Sequence, residues 1–263
     1  MKNTAGKTEE SFTSFEILGV KINDLGFNDI KNKIRQKKFA ASNYVCFPNV
    51  YVVTKANNDI LLKNILNTSF MTLPDGKPIE LYAKINGRKN ISTVSGYWLI
   101  NDLMQSELTH FFYGGNENTL AILSRILPEK FPNAKILGYK SPPYVELNEI
   151  ESNNVITEDI ELINRLKPDL VWVGISSPKQ DYLMYYYHKN LDQSLMLGVG
   201  AVFDYLAGTK KISPEWIKKI YLRWLYRLIQ DPKRLWKKYF ISNSAFLYLL
   251  SKEYFNRFLR TSK

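Results

Sequence analysis

From residue 109 onward the chain repeats one pattern: a short apolar run, a turn carrying glycine or proline, then a stretch with helical spacing. Residues 109–113 lead through Gly114-Gly115 into a helix over 117–130, and 134–138 lead past Pro142-Pro143 to a helix over 157–166. Residues 169–173 then lead through the turn 174–178 to a helix over 179–190, and 194–199 close the series. Strands joined by helical crossovers lie parallel, and continuously apolar strands need cover on both faces. The expected fold is α/β, a mostly parallel sheet between two layers of helices. Ahead of the series, 17–22 and 44–47 read as strands flanking a helix at 28–36. The stretch 49–67 has helical spacing, and 70–73 reads as a short strand stopped by Pro74-Asp75-Gly76.

After Gly208 the rhythm changes to helix after helix. Ser213-Pro214 and Asp231-Pro232 each place a side-chain acceptor before a proline at the first helical position, where a missing N–H costs nothing. A last helix over 244–259 sets Leu247, Leu250, Tyr254 and Phe258 on one stripe. The tail also carries the charge. The chain has 36 Lys and Arg against 25 acids, net +11, and residues 209–263 alone hold fourteen against three, so residues 1–208 are neutral. A cationic end on a neutral body orients the molecule on an anionic surface. The expected organisation is a frayed leader at 1–14, an α/β core at 15–208 and a basic, aromatic helical appendage at 209–263. No apolar run approaches the roughly 18 residues a membrane span needs, so membrane contact is expected to be peripheral. A single cysteine, Cys46, rules out an internal disulfide and suits a reducing compartment.

Several residues could carry chemistry. Asp75 stands on a tight turn at a strand end, where a carboxylate reads either as a turn former or as a group aimed into a crevice. Lys179 and Gln180 follow Gly174-Ile175-Ser176-Ser177-Pro178 at a helix entrance, which reads as a capped start or as an anion-binding end. Asn49 reads equally as a helix N-cap and as a substrate contact. Gly114, Gly115 and Gly200 lie at turns after strands, where a parallel sheet opens its ligand crevice, with Asp204 just beyond. Arg227, Arg234 and Lys237 read as a solvated basic face or as cations for a phosphorylated ligand. His110 and His188 show no metal-ligand spacing, and the chain has no Asp-x-Asp.

The run Gly198-Val199-Gly200-Ala201-Val202-Phe203-Asp204, then Leu206-Ala207-Gly208, Pro214-Glu215-Trp216, Trp224-Leu225-Tyr226-Arg227-Leu228 and Pro232-Lys233-Arg234-Leu235, resembles the WecG/TagA/CpsF glycosyltransferases of bacterial surface polysaccharide and teichoic acid linkage-unit synthesis. The resemblance covers nearly the whole chain beyond the first dozen residues. It implies a Rossmann-like fold, with Asp75 as the catalytic base. Gln180 would hold the sugar or nucleotide, and Arg227, Arg234 and Lys237 would reach the active site. This chain has Phe47 where the family has threonine, Thr93 for an arginine, Ser176 for a glycine, Asp181 for a glutamate and Lys237 for an arginine.

The implied activity is inverting transfer of an N-acetylhexosamine, such as N-acetylmannosamine, from a UDP-sugar donor to a polyprenyl-diphosphate-linked saccharide. The expected place is the inner face of the cytoplasmic membrane. Without Asp-x-Asp, cationic side chains are expected to neutralise the leaving diphosphate, with neither metal nor cofactor. The alternative reading is a nucleic-acid-binding module built on the basic, aromatic tail, although no nucleic acid partner is expected. A nucleotide-linked oxidoreductase would need an early Gly-x-Gly-x-x-Gly, which is absent.

Overall fold

The structure is a computed structural model that describes residues 12–36, 41–88, 90–144, 146–150, 154–214, 217 and 222–261. An antiparallel hairpin, β1 (Ser14–Ile17) and β2 (Val20–Asn23), precedes α1 (Phe27–Gln36). The main sheet holds β3 (Asn43–Cys46), β4 (Met71–Thr72), β5 (Thr109–Gly114), β6 (Lys135–Lys140), β7 (Leu170–Gly174) and β8 (Leu195–Gly198). Its order is β4-β3-β8-β7-β5-β6, and every neighbouring pair is parallel. Register pairs Tyr113 with Val173, Val173 with Gly198, and Val45 with Leu197, so the strands end at one edge.

The alternation of side chains along these strands builds two cores. Tyr44, Cys46, Phe111, Tyr113, Val171, Val173 and Met196 face one side. There they meet α2 (Val50–Asn58), α3 (Ile60–Thr68), α7 (Asn154–Leu166) and α8 (Lys179–Tyr187). Val45, Phe112, Leu170, Trp172, Leu195 and Leu197 face the other, against α1, α5 (Gly96–Leu103), α6 (Glu117–Lys130) and α9 (Val202–Leu206). The expected parallel sheet with helices on both faces is the observed one. The helix α4 (Lys77–Ile85) joins the first core through Ile79 and Ala83.

Three local expectations are corrected. Residues 17–22 are no single strand but two, because Leu18 and Gly19 take positive φ and reverse the chain while Ile17, Val20 and Ile22 all stay buried. The helical stretch 49–67 breaks at Asp59, whose extended backbone (φ −122°) ends α2 while its carboxylate caps α3 at Leu62 N–H, 2.9 Å. Phe12 and Ser14 lie within the stretch read as leader, yet Phe12 packs edge-on against Phe70 at 5.5 Å and Ser14 opens β1.

Beyond the core, α10 (Arg223–Gln230) and α11 (Pro232–Thr261) form the appendage. Pro232 is the first residue of α11, as its sequence suggested, and the expected helix at 244–259 is the second half of this one helix. No glycine or proline interrupts residues 233–261. The helix expected to start at Pro214 falls largely on residues outside the described ones. The helix α11 rests on α2, with Ser242 and Phe246 buried and Leu249 and Leu250 packed against the core. The expected stripe therefore divides. Leu247 and Tyr254 are exposed, Leu250 faces inward, and the side chain of Phe258 lies outside the described residues.

Gly114 ends β5 at φ +115°, and a Cβ there would lie 2.8 Å from the backbone carbon of Gly174. Strand β7 cannot yield without losing its register. Gly114→Ala is expected to lower the unfolding free energy by on the order of 3 kcal/mol in urea titration, the sum of left-handed strain and overpacking.

Candidate active site

Because the six strands run parallel, the loops after them gather at one edge, which is where open α/β sheets bind ligands. A cleft of about 630 Å³ lies there. Phe47 and Asn49 reach it from the end of β3, Asp75 from β4, Gly115 and Asn116 from β5, Ser176 and Ser177 from β7, and Gly200 from β8. Asp204, Tyr205, Arg227 and Tyr239, from α9 and the appendage, wall the open side.

The Asp75 turn is stitched on both flanks: its N–H donates to Pro48 O (3.0 Å), and Val94 N–H donates to Pro74 O (3.0 Å). Arg227 lies across from it. Its Nε donates to the Tyr205 hydroxyl at 2.7 Å, and its guanidinium sits 5.4 Å from the centre of that ring. Burial works against the charge, but the oxygens of Tyr205, Asp75 and Tyr239 more than offset it, and the guanidinium pKa is held above its ordinary value. Burial also pushes the Tyr239 phenol up, so Tyr239 offers Arg227 a neutral oxygen. A carboxylate and a permanent cation thus share one cleft.

Gln180 is buried at 2% exposure. Its Nε2 donates to Gly198 O (2.7 Å) and Ser177 Oγ (2.8 Å), which leaves Oε1 buried in the cleft wall without a hydrogen-bond partner. A buried acceptor of this kind is completed by a donor from water or a ligand. Asn49 is the N-cap of α2, its Oδ1 accepting from Val52 N–H (3.2 Å), and it also lines the cleft. Asp204 lines the cleft and pairs with Lys210 at 2.5 Å.

Other expected contacts lie elsewhere. Gly114 serves the packing of β5 on Gly174 and does not line the cleft. Lys179 sits in an adjoining hollow of about 390 Å³, with Nζ 3.9 Å from the centre of the Tyr144 ring. Arg234 and Lys237 lie on α11, with side chains outside the described residues. Cys46 is buried beside Asp181, and burial raises its thiol pKa well above the usual range. His110 is core, accepting from Trp172 Nε1 at 3.2 Å, with burial lowering its pKa to about 4. His188 packs on Tyr44 and Tyr185. Among the described residues no group of three or more His, Cys, Asp or Glu is placed to hold a metal ion.

Sequence reasoning missed the aromatic cradle of Arg227. Tyr205 follows Asp204 directly, and Tyr239 lies twelve positions beyond Arg227 on another helix, a pairing that only the fold creates. Also missed was Glu80, buried at 4%. It accepts from Lys77 (2.9 Å), Lys84 (2.7 Å), Thr93 N–H (2.8 Å) and Thr93 Oγ1 (2.6 Å). Thr93 thereby anchors the segment whose next residue, Val94, holds the Asp75 turn.

A doubly wound parallel sheet with a carboxylate and a fixed arginine at its C-terminal edge is the frame of a Rossmann-like glycosyltransferase. The chain belongs to the glycosyl transferase WecG/TagA/CpsF family, whose sequence model matches residues 15–260. It is similar to the N-acetylglucosaminyldiphosphoundecaprenol N-acetyl-beta-D-mannosaminyltransferase of Bacillus subtilis (strain 168), 29% identical over 180 residues, 66% of each chain. An enzyme of the same name from Bacillus spizizenii is 26% identical over 181 residues, 66% of this chain and 65% of that one. The match thus spans just under two thirds of these relatives. A third of that name, from Staphylococcus aureus (strain MW2), is 22% identical over 213 residues, 80% of each chain.

Burial pushes the Glu80 carboxyl up, yet the bonds from Lys77, Lys84 and Thr93 outweigh it and bring the pKa down from 4.5 to about 2. A folded-state pKa below the unfolded one stabilises the fold above pH 4.5, and that stability is lost as pH falls toward 2. Both lysines are half exposed, which screens the contribution to on the order of 2 kcal/mol. Glu80→Gln is expected to unfold more easily than wild type at pH 7 by that amount, with the difference closing between pH 4.5 and 2 in denaturant titrations.

Proposed function

We propose that the protein is an inverting, metal-independent glycosyltransferase that moves an N-acetylhexosamine, of the N-acetylmannosamine kind, from a UDP donor to a saccharide on a polyprenyl diphosphate. The observation that carries this reading is the placement of Asp75 and Arg227 in one cleft at the strand ends. Asp75 takes the proton of the acceptor hydroxyl as its oxygen attacks the anomeric carbon, the bond to the diphosphate oxygen breaks, and UDP leaves with the electron pair. One displacement inverts that carbon. Arg227, held charged by its cradle, neutralises the departing diphosphate, with Arg234 and Lys237 as further cations from α11. The names of the relatives support the lipid-linked acceptor and the transferred sugar.

Asp75→Asn keeps the shape of the side chain but cannot accept a proton. It is expected to lower transfer by about 10²–10⁴-fold while UDP still binds, measured as UDP release with a lipid-diphosphate N-acetylglucosamine acceptor. The same assay in excess EDTA is expected to run at full rate. Turnover of more than about a tenth of wild type in the variant leaves Asp75 without the role of base, and a loss in EDTA that magnesium restores removes the metal-free mechanism.

The acceptor's lipid places the reaction at a membrane surface. Among the described residues no helix is long and apolar enough to cross one. The helix α11 instead exposes Phe240, Ile241, Leu247, Tyr248, Tyr254 and Phe255 within a basic appendage, which suits interfacial contact with anionic lipid. Replacing Phe240, Leu247 and Tyr254 together by serine is expected to reduce co-sedimentation with anionic vesicles at least fivefold and leave UDP affinity unchanged. Undiminished sedimentation would assign membrane contact to another surface.

A further inference from the structure

A second cavity, of about 280 Å³, also reaches Asp75. It shares Asn49, Asp75, Arg227 and Tyr239 with the main cleft, so Asp75 stands where two compartments meet. Their walls differ in chemistry. The main cleft mixes strand-end turns and polar side chains with Phe47, Phe203, Tyr205 and Tyr239 but holds no indole, whereas Trp98 and Trp224, with Tyr51, wall the second, with Lys77 at its edge. Trp98 is 53% exposed, and Tyr97 meets it edge-on at 5.3 Å. Trp224 is set edge-on to Tyr239 at 6.0 Å. Displacement at an anomeric carbon brings the nucleophile in opposite the leaving group, so a general base must stand between two binding compartments. A flat indole packs well on the C–H face of a pyranose, whose hydrogens carry partial positive charge.

We infer that the aromatic cavity is the acceptor subsite, with Trp98 as the platform for the ring of a lipid-diphosphate-linked N-acetylhexosamine whose hydroxyl reaches Asp75. This rests on the glycosyl-transfer reading and adds which wall holds which substrate. The path of the lipid follows. Asn243 also lines this cavity, and Phe240 and Leu247, within one turn of it on α11, are 61% and 67% exposed. A chain attached through the diphosphate leaves the cavity onto that apolar face, passing Lys77, whose side chain is 42% exposed and paired with Glu80.

The test is a calorimetric titration of the full chain with N-acetylglucosaminyl diphosphate on a short prenyl chain, in saturating UDP. Trp98→Ala and Trp98→Leu are expected to weaken binding of this analogue at least tenfold, and Trp98→Phe to remain within about threefold of wild type. The affinity for UDP alone is expected to stay within twofold in all three. Leu keeps bulk without a flat face, so a merely space-filling Trp98 would tolerate it. Analogue affinity unchanged in Trp98→Ala overturns the inference, as does equal loss of UDP and analogue binding, or a wild-type protein that does not bind the analogue. Binding is read without turnover, so a protein that binds both ligands but transfers no sugar overturns the proposed reaction and leaves this subsite in place.

Discussion

A guanidinium drawn partly out of water must have its charge answered by fixed oxygens, and the answer given to Arg227 organises the site. Tyr205 comes from α9, Asp75 from the turn after β4, and Tyr239 from α11. Three separate parts of the chain are therefore tied at one point, and the appendage is docked on the core by the same contact that sets the electrostatics of the cleft. Removing the charge would leave two phenols and a carboxylate converging on an empty position. The cost of that arrangement is what makes the docking specific.

The sheet supplies the other constraint. Parallel strands place all their C-terminal loops together, and those after β3, β4, β5, β7 and β8 are short, so the wall is assembled from at most a few groups of each. What fixes Asp75 is a chain of backbone and side-chain bonds running from Pro48 through Val94 and Thr93 to Glu80. The carboxylate that holds the turn is itself saturated with donors and is not available for proton transfer, whereas Asp75 faces the cleft. Two acids five residues apart thus differ in what holds them, Glu80 spent on the turn and Asp75 open to the cleft.

The architecture was legible because the strands of the 109–199 region are mostly apolar and a turn with glycine or proline leads from them into helical stretches. The helix over Glu117–Lys130 matches its expected bounds residue for residue. The hairpin at Leu18-Gly19 was hidden because the buried alternation runs on through the turn. The break at Asp59 was hidden because helical spacing resumes in phase after it. In the site, Asp75, Asn49, Gln180 and Arg227 could be found by motif and position. Lys179 lies in the adjoining hollow, since a helix entrance shows that a side chain is near the crevice and not which side of the wall it takes. Tyr205 and Tyr239 carry no local signature, because their role arises only when α9 and α11 meet.

The helix α11 spans about 45 Å, and it is seated by Ser242 and Phe246 on α2, whose N-cap is Asn49 in the wall of the cleft. The exposed apolar face of α11 and a residue of the cleft wall therefore belong to two helices in direct contact. This makes the appendage a ruler. Whatever the outer face of α11 settles on, the distance from that face to the cleft wall is set by the width of two packed helices.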